Sequence, residues 1–167
     1  IEMFKSLFIN SKLSDPSGDR QKAFERFEKL GLPTKSNEAW KYTSLKPLSK
    51  VELSLSTTLA PSHGQGTQVL SDSIEILCVD GRFDIENIKK TLKSFDVEVK
   101  TLSSASSQVR KVESQDSFFE LNSAFYNEGL YLEFSSKSKL NKPLVIRYQV
   151  TQASAFVNPR IYINMKD

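Results

Sequence analysis

One cysteine and one histidine occur among the 167 residues, and they are the first side chains to weigh for chemistry. Cys78 lies in the apolar run Ile74-Glu75-Ile76-Leu77-Cys78-Val79, where a buried thiol behaves as a small hydrophobe. His63 lies in Pro61-Ser62-His63-Gly64-Gln65-Gly66, whose turn residues read as a surface loop. On separate elements the two do not make a nucleophile–base pair. They do not make a zinc site either, which takes three or four ligands. The G-x-S-x-G elbow is absent. Gly64-Gln65-Gly66 is followed by neither a third glycine nor a Lys-Ser/Thr pair, so it does not form a phosphate-binding loop. The carboxylate spacing of a calcium loop is missing too. Asp80 and Asp84 flank Gly81 and read as a turn residue and a helix cap. No catalytic, cofactor-binding or metal-binding residue is expected in this chain. The alternative is a small α/β ligand-binding or enzymatic domain with its site near Asp80-Gly81-Arg82.

Composition narrows the classes further. The chain carries 23 basic and 20 acidic residues, for a net charge of +3, and the signs are interspersed. No stripe resembles the footprint of a nucleic-acid binder. The densest basic stretch, Lys137 to Lys142, alternates with Ser, Leu and Asn and reads as a solvated loop, with contact to an acidic partner as the other option. A lone cysteine forms no internal disulfide, which removes support for an oxidised secreted class. No stretch approaches the apolar length of a membrane span. Phe4 to Ile9 is too short and interrupted for the core of a signal peptide. A cytoplasmic setting is therefore expected. The sequence begins at Ile1, so residues are expected upstream and a plastid setting stays open. A chain of this length buries roughly two-thirds of its unfolded surface, enough for a core.

The elements that would position these residues follow from periodicity. Met3, Phe4, Leu7 and Phe8 share a helical stripe, and Ser14-Asp15-Pro16-Ser17-Gly18-Asp19 breaks it. A second helix is predicted over Asp19 to Leu30, with Ala23, Phe24, Phe27 and Leu30 on one face. Gly31 suits its C-terminal position, and Pro33 prevents continuation. Ser36 or Asn37 then caps a short helix with Glu38 in its first turn and Trp40 as its apolar anchor. Residues 49–73 are rich in Ser, Thr, Gly and Pro and read as a linker or long loop, in which Val51 and Leu53 could make a short strand.

Ile74 to Val79 reads as a strand and Asp80-Gly81-Arg82 as its turn. Asp84 caps a helix with Ile85, Ile88, Leu92 and Phe95 on one face, and Val97-Glu98-Val99 alternates as a strand. That order predicts a small βαβ-type unit, right-handed if its strands are parallel. A helix from Asp116 carries Phe118, Leu121 and Phe125 and is closed by Gly129. Period-two patterns follow: Leu130, Leu132 and Phe134; then Leu144, Ile146, Tyr148 and Val150; then Ile161, Ile163 and Met165. Three strands with an apolar face and no second layer leave that face uncovered. The last third therefore reads as the beginning of a larger β structure, against the alternative of a small sheet packed on the Asp116 helix.

Several of these stretches also carry a family resemblance. Ala23-Phe24-Glu25-Arg26-Phe27 leads into Leu30-Gly31-Leu32-Pro33-Thr34 and Asn37-Glu38-Ala39-Trp40-Lys41-Tyr42-Thr43. Further on, Asp116-Ser117-Phe118-Phe119-Glu120-Leu121-Asn122-Ser123-Ala124-Phe125 leads into Gly129-Leu130-Tyr131-Leu132, Lys142-Pro143-Leu144 and Asn158-Pro159-Arg160-Ile161-Tyr162-Ile163. Cys78-Val79-Asp80-Gly81-Arg82-Phe83 lies between them. In order and spacing these resemble the N-terminal region of the SufB/SufD family of iron–sulfur cluster assembly proteins, on its SufD side.

The resemblance implies an α+β fold: N-terminal helices and a small βαβ-like unit, followed by strands that begin a right-handed parallel β-helix. The spans expected on this basis are 1–48 (helical region), 49–73 (linker or loop), 74–129 (small α/β region) and 130–167 (start of an incomplete β-helix). It also implies a scaffold fragment of the SUF iron–sulfur cluster assembly complex that is not an enzyme. This fragment would act with SufB and the ATPase SufC, with no nucleic acid or membrane as partner and no cofactor of its own. The family's SufC-binding surface, SufB-pairing strands and cluster-linked His lie in the part that would follow, so no residue here inherits those roles.

Overall fold

Caps and breaks in the sequence translate directly into elements. The computed structural model describes residues 1–56, 70, 72–109, 112, 114–126 and 128–166. In chain order these form α1 (Glu2–Asn10), α2 (Asp19–Leu30), β1 (Ser54–Leu55), β2 (Ile74–Val79), β3 (Arg82–Phe83), α3 (Ile85–Leu92), β4 (Val97–Thr101), α4 (Ser117–Phe125), β5 (Leu130–Phe134), β6 (Leu144–Gln149), β7 (Ala155–Phe156) and β8 (Ile161–Met165). The class is mixed α+β. Most of the expected loop 49–73, His63 included, lies outside the described residues.

The chain divides into two compact units that interleave along the sequence, where the spans read from sequence run consecutively. The first contains Ile1–Leu55, Val112–Tyr126 and Ser154–Asn158; the second contains Ser56–Lys111, Asn127–Ala153 and Pro159–Asp167.

In the first unit, α2 is entered through Gly18 and left through Gly31, both at φ 69, a region where glycine carries no steric penalty. The Asp15 carboxylate accepts from the amides of Arg20 and Gln21 at 3.2 and 2.9 Å, satisfying donors that the first helical turn leaves open. Asp116 does the same for α4 through Phe119 N at 2.7 Å. The helices bury Phe4, Ala23, Phe24, Phe27, Leu121, Ala124 and Phe125 together. Phe8 stacks on Phe24 with centroids 4.4 Å apart, an arrangement that adds to area burial. Leu30, expected on the buried face, is 46% exposed because it is the last residue before the chain turns away at Gly31. Between α2 and α4, Arg26 Nη2 lies 2.9 Å from Glu120 Oε2, and the Glu120 side chain is only 1% exposed. The segment after Pro33 makes a single 3-10 turn, Glu38–Trp40. Asn37 uses its side chain to accept from Thr34 N at 2.9 Å and does not cap that turn. The short strand expected at Val51 and Leu53 forms one step later, as β1, which pairs in parallel with β7.

The second unit holds two three-stranded sheets, in the orders β3-β2-β6 and β4-β5-β8. The expected βαβ unit does not form. Strand, helix and strand are present, but β2 joins one sheet and β4 the other. β2 instead takes β6 as its parallel partner, Ile74 opposite Leu144 through Val79 opposite Gln149. β4 runs antiparallel to β5, and β5 parallel to β8. The three C-terminal strands therefore do not share a sheet, since β5 and β8 lie in one and β6 in the other, and α4 belongs to the first unit. Ile74, Ile76, Cys78 and Phe83 from one sheet, Val99, Leu130 and Leu132 from the other, and Ile88 and Leu92 from α3 make a common core.

Candidate functional site

Asp80 and Gly81 form the two-residue loop of the β2–β3 hairpin, at φ 47 and φ 82, with Val79 opposite Arg82. Both central residues in the left-handed region is the signature of the turn whose twist suits a tight hairpin, and Asp-Gly supplies it. The Asp80 side chain is 1% exposed. Its carboxylate accepts from Thr151 N at 2.7 Å, Thr151 Oγ1 at 2.5 Å and Gln152 Nε2 at 3.4 Å. The two from Thr151 have the short lengths of charge-assisted bonds. They fasten the hairpin to the segment leaving β6 and occupy both oxygens of the acid. Asp84 caps α3 by accepting from Asn87 N at 3.0 Å. The carboxylates at the Asp80–Arg82 alternative site are thus committed to turn, tether and cap.

Cys78 is buried and unbridged. Burial, well ahead of the nearby Asp80 charge, pushes its thiol up to about 11, so the nucleophilic thiolate is scarce near neutrality. Among the described residues no group of three or more His, Cys, Asp and Glu is placed to hold a metal ion. No helix among them is long and apolar enough to cross a membrane. In the basic loop, Lys142 pairs with Asp72 at 2.7 Å and Lys137 and Lys139 are exposed.

The polar face of the β4-β5-β8 sheet carries a network that sequence reasoning missed. Glu133 accepts from Tyr131 OH at 2.6 Å, Asn164 Nδ2 at 2.9 Å and Lys166 Nζ at 2.5 Å. The Lys166 bond first, then those from Tyr131 and Asn164, hold its carboxyl at about 2. Tyr131 stacks on Tyr162 with centroids 5.6 Å apart and planes 8° from parallel. Register explains the cluster, because Tyr131 lies opposite Tyr162 and Glu133 opposite Asn164. The signal available in sequence was the alternation of Tyr131 and Glu133 with Leu130, Leu132 and Phe134.

The feature most open to a partner is the pair of strand edges. β6 ends one sheet and β8 the other. Positions that continue the buried rows come out into solvent there: Leu132 is fully buried while Ile163 opposite it is 50% exposed, and Cys78 is buried while Tyr148 opposite it is 54% exposed. Met165, opposite Phe134, is 74% exposed. An edge with apolar inward-facing side chains and unpaired backbone groups is a template for another strand.

The sequence matches the family described as "SufBD protein N-terminal region" over residues 8–146. The chain belongs to this SufBD family. One curated relative is the "Iron-sulfur cluster assembly protein SufD" of Escherichia coli (strain K12), 31% identical over 68 residues, which is 40% of this chain and 16% of that protein. For a SufBD N-terminal region, the motifs Leu30-Gly31-Leu32-Pro33-Thr34 and Glu38-Ala39-Trp40-Lys41-Tyr42-Thr43 now have structural roles. The first ends α2 at Gly31. The second makes a turn whose Trp40 ring lies 5.0 Å from that of Phe118.

Proposed function

We infer that this chain is a non-catalytic scaffold portion of the SUF iron–sulfur cluster assembly machinery, working with SufB and the ATPase SufC. On this reading the strands from Leu130 onward begin a right-handed parallel β-helix. The observation that carries it is the open end of the second unit, where Tyr148, Ile163 and Met165 continue core rows into solvent. The path of the chain supports the same reading. It runs from β5 in one sheet to β6 in the other and back to β8, which lies parallel beside β5. One such circuit is the repeat of a coil that stacks on the next, and a further circuit would cover the three exposed side chains. The name of the Escherichia coli relative and membership of the SufBD family supply the cluster-assembly context.

An enzymatic reading at Asp80–Arg82 is disfavoured because the acid is spent on Thr151 and Gln152. The test is co-purification with tagged SufC in the presence of SufB. The full-length protein is expected to be retained and residues 1–167 are not. Retention of residues 1–167 at the affinity of the full-length protein would overturn the assignment of partner binding to the later part, and failure of both to be retained would overturn the scaffold reading.

A further inference from the structure

Residues 34–47 are exposed except at Trp40 and Leu45, yet short-range bonds hold them in one shape. Thr34 N donates to Asn37 Oδ1 at 2.9 Å. Asn37 N donates to Thr34 O at 3.0 Å, Trp40 N to Asn37 O at 2.8 Å and Thr43 N to Trp40 O at 3.0 Å. The Trp40 ring, packed on Phe118, ties this turn to the helices of the first unit. On that fixed base the Tyr42 ring is 92% exposed, more than any other large hydrophobic side chain among the described residues. Lys35, Lys41, Lys46 and Lys50 surround it in sequence and are all exposed, and Glu38 is the one acid between positions 35 and 50.

A large aromatic held in water does nothing for folding. It is the side chain that protein interfaces favour as an anchor, because it brings contact area with few rotatable bonds. Holding the turn in place beforehand lowers the ordering cost of binding. The surrounding lysines set the sign of the partner, since complementary charge steers encounter and register. We propose that the 34–47 turn is a docking surface for an acidic protein segment, with Tyr42 entering a groove of the partner and the lysines meeting its carboxylates. Single-stranded nucleic acid fits less well. Strand binders present successive aromatic platforms for stacking bases, whereas here Lys41 Nζ already lies over the Tyr42 ring at 5.5 Å and Trp40 faces Phe118.

The proposal is independent of the scaffold reading, and fluorescence anisotropy on the 167-residue chain tests it with two labelled probes, a short peptide of alternating glutamate and leucine and a short oligothymidine. The peptide is expected to bind. Tyr42→Ala and Lys41→Glu are each expected to weaken it by about tenfold or more, with unchanged circular dichroism. Lys137→Glu, in the basic loop of the second unit, is expected to leave binding as it was. No binding of the peptide, equal binding by Tyr42→Ala, or tighter binding of oligothymidine would each overturn it.

Discussion

The β4-β5-β8 sheet has two edges, and they are finished differently. At β4 the inward Val99 is 5% exposed and shares a core with Ile88 and Leu92 of α3. On its outer face Glu98 and Lys100 form an ion pair at 2.7 Å. Charge on an edge strand and a helix over its apolar face are the usual protections against unwanted pairing. At β8 the inward positions Ile163 and Met165 are half and three-quarters exposed. One sheet thus carries a closed edge and an open one, and an open apolar edge is a template for another strand.

The sharpest way to break that contrast is to truncate two side chains that face each other across it. Leu132 and Ile163 are register partners. Leu132→Ala at the closed centre is expected to cost about 2–5 kcal/mol, and Ile163→Ala at the open edge under about 1 kcal/mol. Urea unfolding of both variants measures the difference. Comparable losses would mean that the edge is not open. Gly129→Ala comes next. A Cβ there would meet Leu102 Cδ1 at 2.2 Å and Arg160 O at 2.6 Å. Leu102 can rotate but a backbone oxygen cannot yield cheaply, so the expected loss is about 1–3 kcal/mol. A neutral result would place the start of β5 in looser packing than its neighbours imply.

The smallest effect concerns the polar face of the same sheet. Glu133 sits at about 2 against an ordinary 4.5. A carboxyl depressed by folding contributes its stability fully above the ordinary value and loses it as pH falls through the folded one. Stability should therefore decline between pH 4.5 and about 2, and Glu133→Gln should flatten that part of the profile. An unchanged acid limb in Glu133→Gln would show that Lys166, Tyr131 and Asn164 do not hold the carboxylate in solution.

Local chemistry made much of this legible in the sequence. Asp84 and Asp116 cap their helices as the spacing predicts, Gly31 takes the positive φ expected of it, and helical periodicity names most of the aromatic core of the first unit. Pairing was not legible. Alternation tells which face a residue takes but not which strand lies beside it, so Ile74–Val79 and Val97–Val99 suggested one βαβ unit while the true partner of β2 begins at Leu144. Gly129 read as a helix stop for the same reason. Its requirement is the approach of Leu102 and Arg160, from segments far off in sequence. Asp80 was correctly placed in a turn, but its tether to Thr151 and Gln152 depends on β6 lying next to β2.

Amide hydrogen exchange at β8 tests the open edge most directly. Lys166 N donates to Phe134 O, and the alternation of a parallel ladder then leaves the amides of Ile163 and Met165 on the unpaired side. In residues 1–167 those two amides should exchange fast while the amides of Leu130 and Leu132 in β5 stay protected, and in the full-length protein all four should be protected. Equal, fast exchange of Ile163 and Met165 in both proteins would contradict a covering coil.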